Sequence, residues 1–369
     1  MVLNLNIFSF FSGAGFLDLG FEHSGFSVDY VNEYHVPFMD GYKYSRTKLA
    51  LPKPRFGYDT RSIDDLTPGY FAGKIAELRK AGSLVGFIGG PPCPDFSVGG
   101  KNRGTEGENG KLSQVYCDLI RGAQPDFFLF ENVKGLYRTK KHREFFEKLK
   151  RELKRAGYTL HERLINSIEY GAPQDRDRII LIGFKDKTLP KEFLWVGRKF
   201  PGRVAFDFDW PSTTPFKTNG VLAIPNTVPQ ELTVQHWFTH NNVENHPNSK
   251  HCFIPRAGLA KFEVISEGDD SKKSYKRLHR WRYSPTAAYG NNEVHLHPFK
   301  PRRLTVAEAL AIQSLPANFE LPSTMTLSNM FKTIGNGVPY LAALGLAKSI
   351  LNHIGEHDDI DGTKSCSFD

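Results

Sequence analysis

Short apolar runs alternate with amphipathic stretches through the first half of the chain. The runs at residues 5–11, 27–32, 84–89, 126–130 and 179–184 have the length and the bounding turn residues of buried strands. We predict a strand at each of them. Strands that are this apolar over their whole length are expected to be covered on both faces.

Stretches with helical spacing lie between the predicted strands. One helix is predicted at residues 16–23, after a Gly-rich turn, and another at 143–156, where Phe146, Leu149 and Leu153 share a face. The alternation predicts an α/β fold, with a largely parallel sheet and helices on both of its faces.

The character of the chain changes near residue 185. From there to about residue 300 it is rich in Pro, Asn, Thr, His and aromatic residues, and its periodicity is weak. We therefore predict a catalytic and cofactor-binding domain from residues 1–184 and 301–355, and a smaller, loop-rich domain from residues 185–300. Residues 356–369 are predicted to be a frayed tail.

Regular structure resumes after this loop-rich segment. Thr305 and Glu308 have the spacing of a capping box, which predicts a helix at residues 306–313. A last helix is predicted at residues 340–352.

Charge favours an anionic partner. The 369 residues include 48 basic and 40 acidic side chains, for a net charge of +8 and a pI near 9.1. Residues 271–282 contain no acid, and they hold Lys272, Lys273, Lys276, Arg277, Arg280 and Arg282. This run is either part of a nucleic-acid surface or a solvated loop face.

The four cysteines have neither paired nor metal-type spacing. We therefore expect no disulfide framework and no metal site, and a reducing cytoplasm fits. The first residues have no signal-peptide pattern, and no apolar run has membrane-spanning length. We expect a cytoplasmic protein.

A Gly-rich turn follows the first predicted strand. The order strand, Phe11-Ser12-Gly13-Ala14-Gly15, helix places backbone amides beside a ligand, as nucleotide sites do. Glu33 ends the second strand, where its carboxylate could bind ribose hydroxyls. A nicotinamide dinucleotide is one interpretation, although Asp18 stands where that fingerprint requires Gly or Ala.

Three further polar groups adjoin predicted strands. Cys93 lies in the turn Gly89-Gly90-Pro91-Pro92-Cys93-Pro94-Asp95-Phe96-Ser97 after the third strand. Glu131 and Asn132 follow the fourth strand, and the run Gln174-x-Arg176-x-Arg178 precedes the fifth. Taken singly, these would be a buried thiol, a helix start with Asn132 as its cap, and a surface hairpin.

In this order, the turn at residues 11–20, the Cys93 run, Glu131-Asn132-Val133 and Gln174-x-Arg176-x-Arg178 resemble the cytosine-5 DNA methyltransferases. Gly335-Asn336-Gly337-Val338-Pro339 matches a further motif of that family. The resemblance implies the class I S-adenosylmethionine-dependent methyltransferase fold. That fold is a Rossmann-like, mostly parallel, doubly wound sheet, here with a target-recognition domain at residues 185–300.

The resemblance also implies catalytic roles. Cytosine carbon 5 becomes nucleophilic when a thiolate adds at carbon 6, and Cys93 matches the thiol that does so. Glu131 would protonate or hydrogen-bond nitrogen 3, and Arg178 would bind oxygen 2. Arg176 would support the active-site loop, and Gln174 would orient the motif.

The S-adenosyl-L-methionine site is carried over in the same way. Asp59 and Asp64 compete for the adenine contact, and Asp59 is preferred. Two residues depart from the family's pattern: Ser9 stands where an acid is common and Phe16 where a third Gly is usual. The predicted cofactor residues are Phe11, Ser12, Gly13, Gly15, Phe16, Leu17, Glu33, Asp59, Pro91, Leu112, Asn336 and Val338.

The substrate implied is a cytosine flipped out of double-stranded DNA. Arg303 and Glu308 would brace the two domains. Pro94 replaces a common Gln beside the nucleophile, and we expect activity to survive this change. The predicted DNA-binding residues are Ser97, Lys101, Arg103, Gln174, Arg256, Lys276, Arg277, Arg280 and Arg282.

We therefore predict a monomeric bacterial modification enzyme, associated with the nucleoid and compatible with a restriction endonuclease of the same target. Two alternatives remain. One is the tRNA-methylating branch of the family, whose Cys-Phe-Thr signature is here Cys252-Phe253-Ile254. The other is a catalytically inactive DNA-binding homologue.

Overall fold

The computed structural model describes residues 4–92, 108–255, 259–272, 274–287, 289 and 294–355, without the side chains of residues 108, 109 and 261. The tail at 356–369 lies outside these ranges. So do five predicted site residues: Cys93, Ser97, Lys101, Arg103 and Arg256.

A seven-stranded sheet forms the centre of the molecule, in the order β3-β2-β1-β4-β5-β7-β6. Its strands are β1 Asn4–Phe10, β2 Ser27–Asn32, β3 Tyr58–Asp59, β4 Ser83–Gly89, β5 Phe127–Val133, β6 Thr159–Asn166 and β7 Asp177–Phe184. Neighbouring strands from β3 to β5 pair in parallel, whereas β7 is antiparallel to both β5 and β6. The predicted mostly parallel sheet is thus confirmed.

The predicted strands are found within three residues of their expected ends. The largest difference is in β5, which continues to Val133 and so includes Glu131 and Asn132. The alternative in which Asn132 caps a helix is therefore wrong. Two strands, β3 and β6, were not predicted. β3 has only two residues, and β6 is half-exposed along most of its length.

Helices cover both faces of the sheet. The helices among the described residues are α1 Phe16–Glu22, α2 Val36–Lys48, α3 Pro68–Lys80, α4 Glu108–Ala123, α5 Lys140–Arg155, α6 Val234–His240, α7 Leu259–Val264, α8 Val306–Ile312, α9 Leu327–Asn336 and α10 Tyr340–Ile354. One apolar core joins α3, α4 and α5 to the sheet, and a second joins α1, α2 and α10 to its other face. This is the layering expected of a doubly wound fold.

The segment 185–300 has little regular structure, as predicted. Within its described part, a short parallel pair, β8 Lys276–Arg277 and β9 His295–Leu296, accompanies α6 and α7. A third apolar core packs Phe238 and Leu278 of this segment against α8 and α9. The predicted capping box is present at the start of α8, since Thr305 accepts from the Glu308 amide and Glu308 accepts from the Thr305 amide.

Candidate active site

The carboxyl ends of β1, β2, β4 and β5 meet at one edge of the sheet, because these strands are parallel. The Gly-rich turn follows β1 at this edge. Phe11, Gly13 and Gly15 all have positive φ angles, of 54°, 56° and 81°. Gly15 is the N-cap of α1, and a Cβ added there would lie 2.5 Å from the Tyr42 ring. Only glycine fits at that position without displacing its neighbours.

Carboxylates at the ends of β2 and β3 face this turn. Glu33 accepts hydrogen bonds from the amides of Gly13 at 2.9 Å and His35 at 2.7 Å. Burial raises the pKa of Glu33, and the two amides act in the opposite direction. Glu33 thus lies beside the turn, and its contact with ribose hydroxyls stays a prediction.

Asp59 lies next to Glu33, since its carbonyl accepts from the Glu33 amide at 3.0 Å. Burial raises the pKa of Asp59, but hydrogen bonds from Arg61 and Tyr30 outweigh it and the pKa is lowered. Asp64 instead forms an ion pair with Lys111 in an exposed 3₁₀ turn. Position therefore favours Asp59 over Asp64.

A buried network of polar side chains packs against the Gly-rich turn. It was not predicted from the sequence. Ser9 Oγ and Tyr42 Oη each donate to the Asp18 carboxylate at 2.8 Å. Arg46 donates to the Gly15 carbonyl at 2.6 Å and forms an ion pair with Glu22 at 2.8 Å. Asp18 thus places a carboxylate beside Ser9, where the sequence lacks the family's common acid.

Phe16, the second departure from the family pattern, is a core residue. It is 2% exposed, and its ring contacts Phe319 edge-on at 5.2 Å. A Cβ on Gly337 would lie 2.2 Å from the Phe16 ring, so the C-terminal motif packs directly on it. Of that motif, Asn336 ends α9 and is exposed, and Val338 is buried.

The remaining predicted cofactor residues are partly or fully buried. Leu17 is buried in α1, and Leu112 is half-buried in α4 against the core. Pro91 is buried just after β4. Two buried hydroxyls, Ser12 Oγ and Thr333 Oγ1, have no hydrogen-bond partner within the described part of the chain.

Thr333 was not predicted as a site residue. Its Oγ1 lies 3.5 Å from where a Cβ on Gly13 would be, so it faces the turn from α9. A left-handed glycine turn at a helix start, two carboxylates and two unsatisfied buried hydroxyls are donors and acceptors suited to a nucleoside-bearing ligand.

Glu131, predicted to act at nitrogen 3, and Arg178, predicted to bind oxygen 2, lie together at the ends of two adjacent strands, β5 and β7. Arg178 Nε is 2.7 Å from Glu131 Oε1, and the two side chains are 12% and 10% exposed. Arg178 is the one described partner of Glu131 Oε1, which is buried. Burial lowers the pKa of Arg178 and the Glu131 carboxylate opposes this, so the guanidinium remains a cation.

The turn that carries Cys93 packs on this pair. β4 and β5 are parallel neighbours, and a Cβ on Gly90 would lie 2.5 Å from Glu131 Oε2. Asn132 Nδ2 donates to the Pro91 carbonyl at 3.4 Å, which ties the turn to β5. Two residues after Pro91, the chain reaches Cys93, outside the described part.

Arg176 and Gln174 are interior residues. Arg176, at 1% exposure, donates to the carbonyls of Ala287 at 3.3 Å and Gly335 at 2.7 Å. Gln174 is completely buried, and its Oε1 accepts from the Ala287 amide at 3.1 Å. Arg176 therefore links three segments of the chain, and the prediction that Gln174 contacts DNA is corrected to a structural role.

Two of the predicted DNA-reading arginines also point inward. Arg277 is completely buried and donates to the carbonyls of Ile265, Phe262 and His297, and burial lowers its pKa to about 10. Arg280 donates to both Glu267 oxygens at 2.8 Å. Both predictions are corrected, because these guanidinium groups satisfy internal acceptors.

Lys276 and Arg282 are half-buried and stay compatible with a surface role. The prediction that Arg303 and Glu308 brace the two domains is also corrected. Arg302, and not Arg303, donates to both Glu308 oxygens, at 2.8 and 2.7 Å. Arg303 lies over the Phe253 ring at 5.5 Å.

Two features are absent from the described part of the chain. Within it, no cluster of His, Cys, Asp and Glu could hold a metal ion. None of its helices combines the length and the apolar character that crossing a membrane requires.

Comparison with known sequences gives a consistent result. Residues 5–352 match the family model described as C-5 cytosine-specific DNA methylase. The type II methyltransferase M.NmeDI of Neisseria meningitidis serogroup C is 59% identical over 367 residues, covering 98% of this chain and 86% of that protein. M.FnuDI of Fusobacterium nucleatum is 28% identical over 383 residues, covering 96% and 97%.

Solved structures show the same fold. A putative DNA modification methyltransferase encoded within an E. coli prophage aligns with a TM-score of 0.65 at 23% identity, covering 95% of this chain and 99% of that one. A DNMT2 of Spodoptera frugiperda aligns with a TM-score of 0.60 at 17% identity, covering 94% and 100%.

Proposed function

The chain belongs to the C-5 cytosine-specific DNA methylase family and is a modification-type methyltransferase, and from this premise we propose that Cys93, Glu131 and Arg178 carry its chemistry. Cys93 adds to carbon 6 of the target cytosine, and carbon 5 then accepts the methyl group. Neither the tRNA-methylating nor the inactive alternative is favoured by these relatives.

The observation that carries this proposal is the Glu131–Arg178 pair. Its 2.7 Å contact lies at the carboxyl edge of the sheet, beside the turn that leads to Cys93. Arg178 contacts Oε1, and the second carboxylate oxygen, Oε2, faces the turn that leads to Cys93, where it can bind a proton or an N–H of the substrate. A pair whose groups were all satisfied internally would offer the substrate nothing.

Each residue of the pair has a distinct task. Thiolate addition loads negative charge onto the pyrimidine ring, and Glu131 relieves it by holding a proton at nitrogen 3. Arg178 stabilises the same charge at oxygen 2 with its planar N–H groups. When carbon 5 has gained its methyl group and lost its proton, the thiolate leaves carbon 6 again.

We propose S-adenosyl-L-methionine as the cofactor, since methylases of this family use it in general. When bound, it supplies an electrophilic methyl group. The turn at residues 11–15 would hold its methionine end together with Asn336 and Val338, and Glu33 and Asp59 would bind its ribose and adenine. The buried hydroxyls of Ser12 and Thr333 would gain partners there, which removes an unfavourable feature of the free protein.

We propose that the substrate is double-stranded DNA and that residues 185–300 read its sequence. The target base must leave the stack, at a cost of about a few kcal/mol. Lys276 and Arg282 are the described candidates for DNA contact. Ser97, Lys101, Arg103 and Arg256 stay predictions.

The enzyme would act as a monomer on the nucleoid. Its relatives are named type II methyltransferases. We therefore propose a cognate restriction endonuclease for the same site.

Methylation-sensitive sequencing of DNA from cells that express the protein tests the proposal. We expect 5-methylcytosine at one recurring sequence with the wild-type protein and none with Cys93→Ala. No 5-methylcytosine at any sequence would contradict the function. Methylation by both proteins would contradict the role of Cys93 alone.

A further inference from the structure

Because Arg277 and Arg280 point inward, their positive charges are not available to DNA phosphates. A protein that holds duplex DNA must neutralise phosphates with lysine and arginine side chains. The most basic run predicted to do so, residues 271–282, uses part of its charge internally. Exposed cations elsewhere at the active-site edge would add to those that remain available in this run.

The segment from Lys134 to Arg143, here called the basic edge, supplies them. It contains no acid, and it begins directly after β5, the strand that carries Glu131. Its basic side chains are all exposed, and they are Lys134, Arg138, Lys140, Lys141 and Arg143.

The fold holds the basic edge at the active-site end of the sheet. Lys134 Nζ contacts Asp177 at 2.8 Å, and Asp177 directly precedes Arg178 of the catalytic pair. His142 is buried, and its ring nitrogen lies 3.3 Å from the Gly135 carbonyl, which closes the segment on itself. The backbone that carries the exposed cations is therefore held beside the site.

Neighbours neutralise little of the charge on Arg138, Lys140 and Arg143. Lys140, 92% exposed, reaches Glu144 only at 3.9 Å, a separation at which a surface ion pair contributes little. Arg143 lies against the Tyr137 ring at 5.7 Å. Neither Arg138 nor Arg143 has an acidic partner in an ion pair described by the structure.

The position of these cations is also unfavourable for the helix. Lys140 and Lys141 occupy the first turn of α5, which contains no acid. Positive charge at a helix start opposes the helix dipole. Local features that oppose the fold in this way concentrate at functional sites.

We propose that the basic edge binds phosphates of the DNA backbone flanking the flipped cytosine. This inference rests on the proposed function, because it requires duplex DNA at the Glu131–Arg178 site. The interaction is sequence-independent, so it adds affinity and orientation without specificity. Phosphate binding needs exposed cations on a backbone held near the duplex, which this segment provides.

The test compares variants on a random-sequence duplex of about 30 base pairs, long enough to extend beyond the cleft on both sides. Binding is measured by fluorescence anisotropy at salt concentrations from about 50 to 200 mM. R138A/K140A removes two charges, and R138K/K140R keeps them. The matched control is K187A/K348A, which removes two exposed lysines elsewhere on the protein.

We expect R138A/K140A to weaken binding about three- to tenfold and to lower the salt slope by about 2, close to 0.9 for each phosphate that is no longer neutralised. R138K/K140R and the control should stay within about twofold of wild type. S-adenosylmethionine binding should be unchanged in all of them.

The inference is overturned if R138A/K140A behaves like the control, or if R138K/K140R weakens binding as much. A binding defect confined to structured RNA would also overturn it. Failure of the wild-type protein to bind duplex DNA would instead contradict the proposed function.

Discussion

Two arginine–carboxylate pairs in this molecule have nearly equal distances and different surroundings. Arg178 approaches Glu131 at 2.7 Å at the edge of the sheet, and Arg280 approaches Glu267 at 2.8 Å within residues 185–300. Arg280 makes two parallel hydrogen bonds to its acid, donates to the Gly220 carbonyl and lies over the Phe299 ring. Glu131 pairs with Arg178 through one oxygen, Oε1, and its other oxygen, Oε2, faces the turn after β4.

This difference distinguishes a pair that stabilises the fold from a pair that is available to a substrate. A pair whose donors and acceptors are all used internally stabilises the fold and has nothing left for a ligand. A pair that is incompletely satisfied at the meeting point of parallel strand ends is available to a substrate. The sign of the charges and the separation of the groups are the same in both, so neither property distinguishes them.

The largest effect is expected at the catalytic pair. Glu131→Gln keeps the shape of the side chain and removes the acid, so methyl transfer should slow by about 10²- to 10⁴-fold. Because the mostly buried Arg178 also loses its counterion, we expect a loss of stability of about 3–5 kcal/mol as well. Single-turnover methyl transfer, normalised to the folded fraction, and denaturant unfolding measure the two quantities. A normalised rate within about twofold of wild type would show that Glu131 is structural.

At the second pair, the stability should fall and the rate should not. Glu267→Gln leaves the Arg280 guanidinium buried without its counterion, which should cost about 3–5 kcal/mol of stability. The rate for the protein that remains folded should stay within about twofold of wild type. Denaturant unfolding and a rate normalised to the folded fraction provide the comparison. If the rate fell a hundredfold at unchanged stability, the distinction between the pairs would be wrong.

A third pair, Arg46 with Glu22 beneath the Gly-rich turn, predicts a pH dependence. Burial raises the pKa of Glu22 to about 7 from an ordinary 4.5, with Arg46 opposing it. Between these values the folded protein binds a proton that the unfolded chain has released. This group therefore contributes stability below about pH 4.5 that is lost as the pH rises through 7.

Glu22→Gln removes this titration. The decline in unfolding free energy from pH 5 to pH 8 should be smaller in the variant than in wild type, by about 1–3 kcal/mol. Urea unfolding at both pH values measures it. Because every other group titrates in both proteins, only the difference between the two declines bears on Glu22, and equal declines would rule the effect out.

The smallest effect is expected on DNA binding within residues 185–300. Arg282→Ala should weaken binding about threefold and reduce the salt slope by about 1, because its half-buried side chain remains near the surface. Arg277→Met should leave the salt slope unchanged and reduce stability by about 1–3 kcal/mol, since buried carbonyls are left without their donor. A larger salt effect from Arg277 than from Arg282 would reverse the inward and outward assignments.

Sequence predicts the strand-end residues well because apolar runs locate the strands. Once β4 and β5 are recognised as parallel neighbours, the residues after them must meet at one edge, which brings Glu131 close to the Cys93 turn. The parallel sheet and the capping box of α8 follow from equally local patterns. Half-exposed β6 lacks such a pattern and was missed.

The interior arginines could not be predicted in this way. Arg277 and Arg280 belong to a basic run, and composition does not state where a side chain points. Their acceptors come from residues up to 60 positions away, on Gly220 in the case of Arg280. The contacts of Arg46 and Thr333 with the Gly-rich turn could not be predicted either, because they depend on how α2 and α9 pack.

The central claim is that Cys93, assisted by Glu131 and Arg178, forms a covalent bond to the target cytosine during methyl transfer. Duplex DNA made with 5-fluorocytosine tests it most directly, because fluorine cannot leave carbon 5 as a proton does, so the thiolate cannot depart. With S-adenosylmethionine present, intact-mass measurement should show a protein–DNA adduct for the wild-type protein and none for Cys93→Ala. An equally abundant adduct with Cys93→Ala, or no adduct with a wild-type protein that methylates ordinary DNA, would contradict the claim.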